Sequence, residues 1–220
     1  MSRVFSKWAG DWLTAGLFVV IASTGYAQTS SGSQAQFSSA VAVYIYNYAH
    51  VSRRTLNGAE EEASRILLKA GVETRWVDCP VTSDEIPKYP ACRPHLDHAG
   101  LVLKIFPDFA ASRLGLRPQN LGFCPASEEA GPGSEASISY SRVKDLANSW
   151  DANPLQILGF AAAHELGHLL LHSPGHSPTG IMRAAWNPED LRGAAQGLLG
   201  FTPDQSERIR ATARAWQKRP

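Results

Sequence analysis

Residues 164–182 read HELGHLLLHSPGHSPTGIM, and they contain the strongest pattern in the chain. His164 and His168 are four residues apart, so on a helix their imidazoles lie on one face, one turn apart. Glu165 is next to His164, where its carboxylate can reach a water bound to a metal that the two imidazoles hold. The pattern therefore predicts a helix that carries a zinc site with a catalytic carboxylate.

Catalytic zinc sites use three protein ligands and leave one position for water, so a third ligand is needed. Pro174 and Gly175 end the helix, and the break lets the chain turn back toward the metal with His176. His172 precedes the break, and a continued helix would carry it about 6 Å along the axis away from His168. His176 is therefore the predicted third ligand, and His172 is the first alternative.

A second alternative draws the third ligand from a later helix. Glu189 lies 21 residues after His168, a spacing similar to that of thermolysin-like peptidases. Residues 187–190 (NPED) are also typical of a helix N-cap, a first position and an acidic first turn, which need no metal. The other three histidines lack such a context, and we interpret them as surface or loop residues: His50, His95 and His98.

The first 27 residues are typical of a secretory signal. Arg3 and Lys7 give a positive start, residues 13–23 (LTAGLFVVIAS) are apolar, and Gly25 and Ala27 are small residues at a cleavage site. The apolar run has about half the ~20 residues that a membrane span needs, so we expect cleavage rather than an anchor. The predicted product is secreted (extracellular or periplasmic) and has no stable membrane association.

The charge balance excludes several classes of partner. The chain has 21 Lys and Arg residues against 20 Asp and Glu residues, a net charge of +1, and no basic run. Such a chain gives no support for binding nucleic acid or anionic membranes. Residues 28–39 (QTSSGSQAQFSS) are polar and predict a disordered leader, and residues 40–220 suit a single catalytic domain that we expect to be monomeric.

The three cysteines all follow the predicted leader. Cys79 and Cys92 flank a Pro-rich loop, CPVTSDEIPKYPAC, and an oxidising compartment would favour a disulfide between them. Closing a loop of this length would add about 3 kcal/mol of stability if the bond is unstrained. Cys124 is then the odd cysteine, which we interpret as a small buried residue, with an intermolecular partner or a reactive thiol as alternatives.

The remaining patterns alternate between strand and helix. Period-two stretches of β-branched and aromatic residues predict strands, and an apolar spacing of three to four residues predicts helices. Strands are predicted at residues 41–49, 72–77, 101–106, 121–124 and 136–140, and helices at 56–70, 154–171 and 203–216, with Asn57, Asn153 and Thr202 as N-caps. This order predicts a mixed α/β (α+β) fold in which helices pack on one sheet.

The stretch AAAHELGHLLLHSPGHSPTGIM, residues 161–182, resembles the metzincin zinc peptidases, and among them the matrixin-like arrangement. In that family the zinc helix is followed by a histidine, a serine and then a tight turn with a buried methionine beneath the metal. His176, Ser177 and Met182 match those positions. The resemblance implies a metzincin-like mixed sheet, a zinc ion held by three histidines, a methionine turn at Met182 and a C-terminal helix.

The resemblance also implies a mechanism. Glu165 would act first as general base toward the zinc-bound water and then as general acid toward the leaving amine. A peptide or protein substrate would lie antiparallel to an edge strand, for which residues 121–124 are the candidate. No tyrosine follows Met182 in residues 183–186, so the tyrosine that assists some metzincins has no counterpart in this chain.

One departure from the family pattern concerns the third ligand. The metzincin signature has a glycine three residues after the second histidine and the ligand three residues later, positions that are Leu171 and Pro174 in this chain. His176 comes two residues late, which is more similar to short secreted bacterial metzincin-like proteins. We expect a secreted zinc endopeptidase; the alternatives are an exported zinc-binding domain with little or no turnover and a zinc hydrolase of a non-peptide amide.

Overall fold

A computed structural model of the chain describes residues 40–92, 100–107, 120–124 and 135–217. The predicted signal (1–27) and leader (28–39) lie outside these residues, as do His95 and His98. All the described elements belong to one compact unit, Gln36–Pro220. Within the described ranges, no helix is both long and apolar enough to cross a membrane.

Five strands among the described residues form one mixed sheet, which confirms the predicted α/β class. The strands are β1 (Val41–Asn47), β2 (Thr74–Cys79), β3 (Leu101–Phe106), β4 (Gly122–Phe123) and β5 (Glu135–Ser139). Their order is β2-β1-β3-β5-β4, and all neighbours are parallel except β4, which runs antiparallel to β5 at the edge. The first six residues of β1 are all buried, as expected for a strand covered on both faces.

In the part of the chain that the structure describes, five helices accompany the sheet: α1 (Arg53–Lys69), α2 (Tyr140–Ser149), α3 (Pro154–Leu171), α4 (Pro188–Ala195) and α5 (Pro203–Gln217). The motif helix α3 has its predicted bounds, and its N-cap Asn153 accepts a hydrogen bond from the Leu155 N–H at 3.1 Å. Every residue of α3 from Ile157 to Leu171 is buried. A helix that is apolar on all sides belongs in a core, and α3 packs against α1, α2, α5 and the sheet.

Two features of the helices differ from the sequence predictions. The helix predicted to start at residue 56 with Asn57 as N-cap begins at Arg53, because the Ser52 hydroxyl accepts from the Thr55 N–H at 3.2 Å. Helix α2 was not predicted, although its buried residues Val143 and Ala147 have helical spacing. The predicted strand that ends at residue 140 stops at Ser139, where α2 starts.

Cys79 and Cys92 form a disulfide with their Cα atoms 5.7 Å apart. The loop that it closes contains two short 3-10 helices, Ile86–Lys88 and Pro90–Cys92. Both cysteines pack with Tyr44 and Tyr46 of β1, whose side chains alternate with those that face the helices. The disulfide therefore covers the sheet face opposite α1 and α3. Cys124, which we predicted to be buried, is half-buried.

Glu60 on α1 is a half-buried acid, and one of its carboxylate oxygens is enclosed. Its Oε1 atom has no hydrogen-bond partner among the described residues. Burial, together with the nearby Asp78 and Glu61, raises the pKa of Glu60 to about 7 against the opposing effect of Arg53. The folded state therefore binds a proton that the unfolded state releases above its ordinary pKa near 4.5, and this group lowers stability as pH rises from about 4.5 to about 7.

We expect Glu60→Gln to melt at a higher temperature than the wild type at pH 8, with a smaller difference at pH 5, because glutamine removes the ionisation. Thermal melts of both proteins across this range measure the difference. Glu207→Gln, at an exposed position of α5, is the control. Its difference in melting temperature from the wild type should not change with pH. A Glu60→Gln difference that does not change between pH 5 and pH 8 would contradict the assignment.

Candidate metal centre

Helix α3 presents two histidines to one point. His164 and His168 are 8% and 5% exposed, with ring centroids 4.7 Å apart and nearly perpendicular planes. Their Nε2 atoms are 3.0 Å apart. Two nitrogens bound to one tetrahedral zinc ion lie about 3.3 Å apart, given Zn–N bonds of about 2.0 Å. The two imidazoles are therefore already spaced for a common metal ion.

The end of α3 directs the chain back toward these imidazoles. His172 ends the helix in the left-handed conformation, with φ 50° and ψ 43°. The Ser173 N–H then bonds to the His168 carbonyl at 3.2 Å, and the Ser173 carbonyl accepts from His168 Nδ1 at 2.8 Å. The turn is thus fixed to His168 at both its backbone and its side chain. The extended residues after it place His176 beside the pair.

The three histidines His164, His168 and His176 form one cluster. The His176 ring centroid lies 5.3 Å from that of His164 and 4.9 Å from that of His168. One ligand atom from each lies within 4.8 Å of the other two, and the part of the chain that the structure describes holds no other such group of three. Three convergent imidazole nitrogens are a donor set that suits zinc, so the cluster fits a Zn2+ ion.

The two alternative third ligands lie elsewhere. His172 contacts Trp216 of α5, with ring centroids 6.4 Å apart. Glu189 is exposed in the first turn of α4, and its Oε1 atom lies 3.9 Å from Nη2 of Arg192. Its backbone N–H bonds to the Asn187 side chain at 2.9 Å, so the helix-start interpretation of residues 187–190 is confirmed by a capping box. Neither side chain is part of the histidine cluster.

A tight turn at residues 180–182 supports the cluster from below. Gly180 has φ +76°, and a Cβ there would lie 2.5 Å from the Gly200 carbonyl oxygen. The Ile181 N–H bonds to that same carbonyl at 2.8 Å. Met182 is fully buried, and its Sδ atom would be 2.6 Å from a Cβ on Gly167. The sulfur therefore packs against α3 next to His168, in the position of the predicted methionine turn.

Hydrogen bonds and burial keep the imidazoles ready to bind a metal. His164 Nδ1 lies 2.7 Å from the Ile181 carbonyl, and because a carbonyl only accepts, Nδ1 carries the proton and Nε2 offers a lone pair. Burial lowers the pKa of His164 to about 4, against the opposing effect of the Ile181 bond. Burial also lowers the pKa values of His168 and His176. All three are therefore neutral at pH 7, the form that binds metal.

Glu165 lies against the edge strand. Its side chain is 5% exposed, and burial raises its pKa to about 8. A Cβ on Gly122 of β4 would lie 2.5 Å from Cδ of Glu165 and 2.6 Å from its Cγ. Only glycine permits this approach, so β4 holds the Glu165 carboxylate from one side. No local sequence pattern indicates this contact, because it joins residues 43 positions apart.

The cluster and Glu165 form the base of a cavity of about 680 Å3. Its walls come from residues 120–124, from α2 and from residues 183–186. Helix α2 and Trp186 thus belong to the site, and sequence reasoning missed both. The helical spacing of Val143 and Ala147 could have revealed α2, whereas the place of Trp186 depends on how the chain folds after Met182.

Comparisons with known proteins give a distant likeness. No protein-family model and no curated protein matches the chain. A crystal structure of an archaemetzincin from Methanopyrus kandleri matches with a TM-score of 0.48 and 16% identity, over 79% of this chain and 95% of that chain. A zinc-dependent peptidase from Methanocorpusculum labreanum matches with a TM-score of 0.42 and 14% identity, over 78% and 99%. Both TM-scores are below 0.5.

Single substitutions distinguish the candidate third ligands. We expect His176→Ala to weaken zinc binding by more than the ~10–100-fold that loss of an outer partner costs, because it removes a ligand. His172→Gly and Glu189→Ala should bind zinc like the wild type; glycine also adopts the left-handed conformation of residue 172 without cost. Competition with a chelating dye measures each affinity. Wild-type affinity in His176→Ala would contradict the assignment.

The contact between Gly122 and Glu165 predicts coupled stabilities. Gly122→Ala should lower the free energy of unfolding by about 1–3 kcal/mol, because the added methyl overlaps the Glu165 side chain. Glu165→Ala removes the overlapping atoms, so the double variant should recover most of that loss. Denaturant unfolding of the wild type, both single variants and the double variant measures the coupling. If the changes in unfolding free energy of the two single variants simply add in the double variant, the added methyl at residue 122 does not overlap Glu165.

Proposed function

We propose that this chain is a secreted zinc-dependent endopeptidase with a metzincin-like, matrixin-type arrangement of its site. The observation that carries the proposal is the convergence of three neutral imidazoles next to a buried carboxylate, at the base of a cavity bounded by an edge strand. Three ligands leave one position of a tetrahedral zinc ion for water, as hydrolytic sites require. A purely structural zinc site has no need of Glu165.

The chemistry divides between the ion and Glu165. A zinc ion bound by His164, His168 and His176 would lower the pKa of a water molecule and polarise the scissile carbonyl. Glu165 would serve as the base that accepts a proton from the attacking water and as the acid that returns it to the leaving amine. Burial alone raises its pKa to about 8, and a nearby cation would lower this value toward neutral pH, where a carboxylate can both accept and return a proton.

The substrate is proposed to be an extended peptide. Strand β4 pairs with β5 on one side, and among the described residues no strand pairs with its other edge. A peptide lying antiparallel to β4 would pass over the cavity and in front of Glu165, which Gly122 of the same strand contacts. Main-chain pairing of this kind needs no free terminus, which favours endopeptidase action.

Secretion rests on two separate features of the chain. Residues 1–27 have the composition of a signal, and Cys79 and Cys92 are joined in a disulfide. Structural disulfides persist in oxidising compartments and are rare in the cytosol of mesophiles. An extracellular or periplasmic location accounts for both features.

The decisive experiment compares Glu165→Gln with the wild type. We expect peptide cleavage to fall at least 100-fold, the usual contribution of a positioned general base, while zinc content stays at one ion per chain. A library of quenched fluorescent peptides measures cleavage, and metal analysis measures zinc. The exposed Glu189→Gln is the matched control and should cleave like the wild type.

Other outcomes would overturn the proposal. Wild-type protein that binds one zinc ion and cleaves no peptide would favour an exported zinc-binding domain. Cleavage confined to non-peptide amides would favour the hydrolase alternative. Cleavage by Glu165→Gln at more than a tenth of the wild-type rate would remove Glu165 from the mechanism.

A further inference from the structure

The Ile181 carbonyl oxygen accepts two hydrogen bonds at the base of the metal centre. One comes from His164 Nδ1 at 2.7 Å, and the other comes from Trp186 Nε1 at 3.0 Å. A carbonyl oxygen has two lone pairs, so the two N–H groups satisfy it completely. The indole and the imidazole are therefore connected through one shared acceptor.

Trp186 also contacts His164 directly. The two rings meet edge to face, with centroids 5.8 Å apart and an interplanar angle of 83°. The indole also contacts Phe160 of α3, with ring centroids 6.2 Å apart and an interplanar angle of 88°. Trp186 is thus held against the same helix that carries His164, and it limits both the tilt of the imidazole and the direction of the Ile181 carbonyl.

The segment that carries Trp186 is fixed independently of the histidines. Arg183 donates to both carboxylate oxygens of Asp190, at 3.0 and 2.8 Å. The Asp190 carboxylate also accepts from the Asn187 N–H at 2.9 Å, as part of the capping box of α4. Residues 183–190 therefore form a closed, hydrogen-bonded loop, and the indole is presented from a rigid support.

The direction of the Ile181 carbonyl determines how His164 can bind a metal. Its bond to Nδ1–H selects the tautomer that leaves Nε2 free and sets the plane of the ring. Without the indole N–H, the Ile181 carbonyl oxygen would accept its second hydrogen bond from a water molecule in the cavity. The carbonyl would then have one fixed hydrogen-bond donor, His164, instead of two. The metal would then meet a less well oriented ligand.

We propose that Trp186 is a positioning residue for the metal ligand His164, acting through the carbonyl of Ile181. The inference depends on the zinc site of the proposed function but not on peptidase activity. A wild-type chain that binds zinc and cleaves nothing leaves it standing, whereas a wild type that binds no zinc removes both.

The test measures zinc affinity in the absence of substrate for Trp186→Phe, which keeps an aromatic ring and removes the N–H donor. We expect the zinc affinity to fall about tenfold, at the lower end of the range for residues that hydrogen-bond to metal ligands. The effect should be at this lower end because the indole N–H bonds to the Ile181 carbonyl and not to His164 itself. The visible absorption spectrum of the cobalt-loaded protein should also shift. Trp76→Phe is the control and should change neither measurement, because it also removes an indole N–H donor, one that bonds to the Ser64 hydroxyl at 2.6 Å, at a position that does not line the cavity.

A second variant separates the hydrogen bond from packing. Site-specific replacement of Trp186 by benzothienylalanine keeps the size of the bicyclic ring and replaces only the N–H by sulfur. The proposal requires that this protein lose zinc affinity like Trp186→Phe while its metal-free melting temperature stays at the wild-type value. Affinity within threefold of the wild type in this variant, or an equal loss in Trp76→Phe, would overturn it. In the first case Trp186 would be only part of the cavity wall.

Discussion

The hydrogen bond from His164 to the Ile181 carbonyl is the interaction on which the site depends. It joins the motif helix α3 to the turn at residues 180–182, and these two pieces hold His164, His168 and the buried Met182. Met182, the residue that follows Ile181, packs against α3, and Trp186 donates to the same carbonyl oxygen as His164. The geometry of the centre therefore follows from the packing of one turn beneath one helix.

Burial of α3 gives the site its electrostatic character. The helix lies in the core on all sides, so its polar side chains are removed from water unless they face the cavity. Desolvation lowers the pKa of His164 and raises that of Glu165. The same burial thus favours a neutral imidazole, which binds a cation, beside a carboxyl group that holds its proton near neutral pH. Both effects come from the position of ionisable side chains on a core helix.

The sequence predicts what is encoded locally. Asn153 with Pro154, and Pro174 with Gly175, define α3 because capping and proline geometry act over a few residues. The convergence of His176 with the helix histidines followed from the same break. Contacts between distant segments were not predictable, such as that of Gly122 with Glu165, because they depend on tertiary packing. Asn57 was wrong as an N-cap because Ser52 offers an equally good cap one turn earlier.

The three candidate ligands lie within 13 consecutive residues, and this has a consequence for the metal's role in folding. A ligand stabilises a protein only by the difference between its affinities for the folded and unfolded chains. A short segment with four histidines also offers nitrogen ligands when it is unfolded. Preference for the folded chain must then come from the groups that orient the imidazoles, the carbonyls of Ser173 and Ile181. Tight zinc binding and strong stabilisation by zinc are therefore separate properties of this chain.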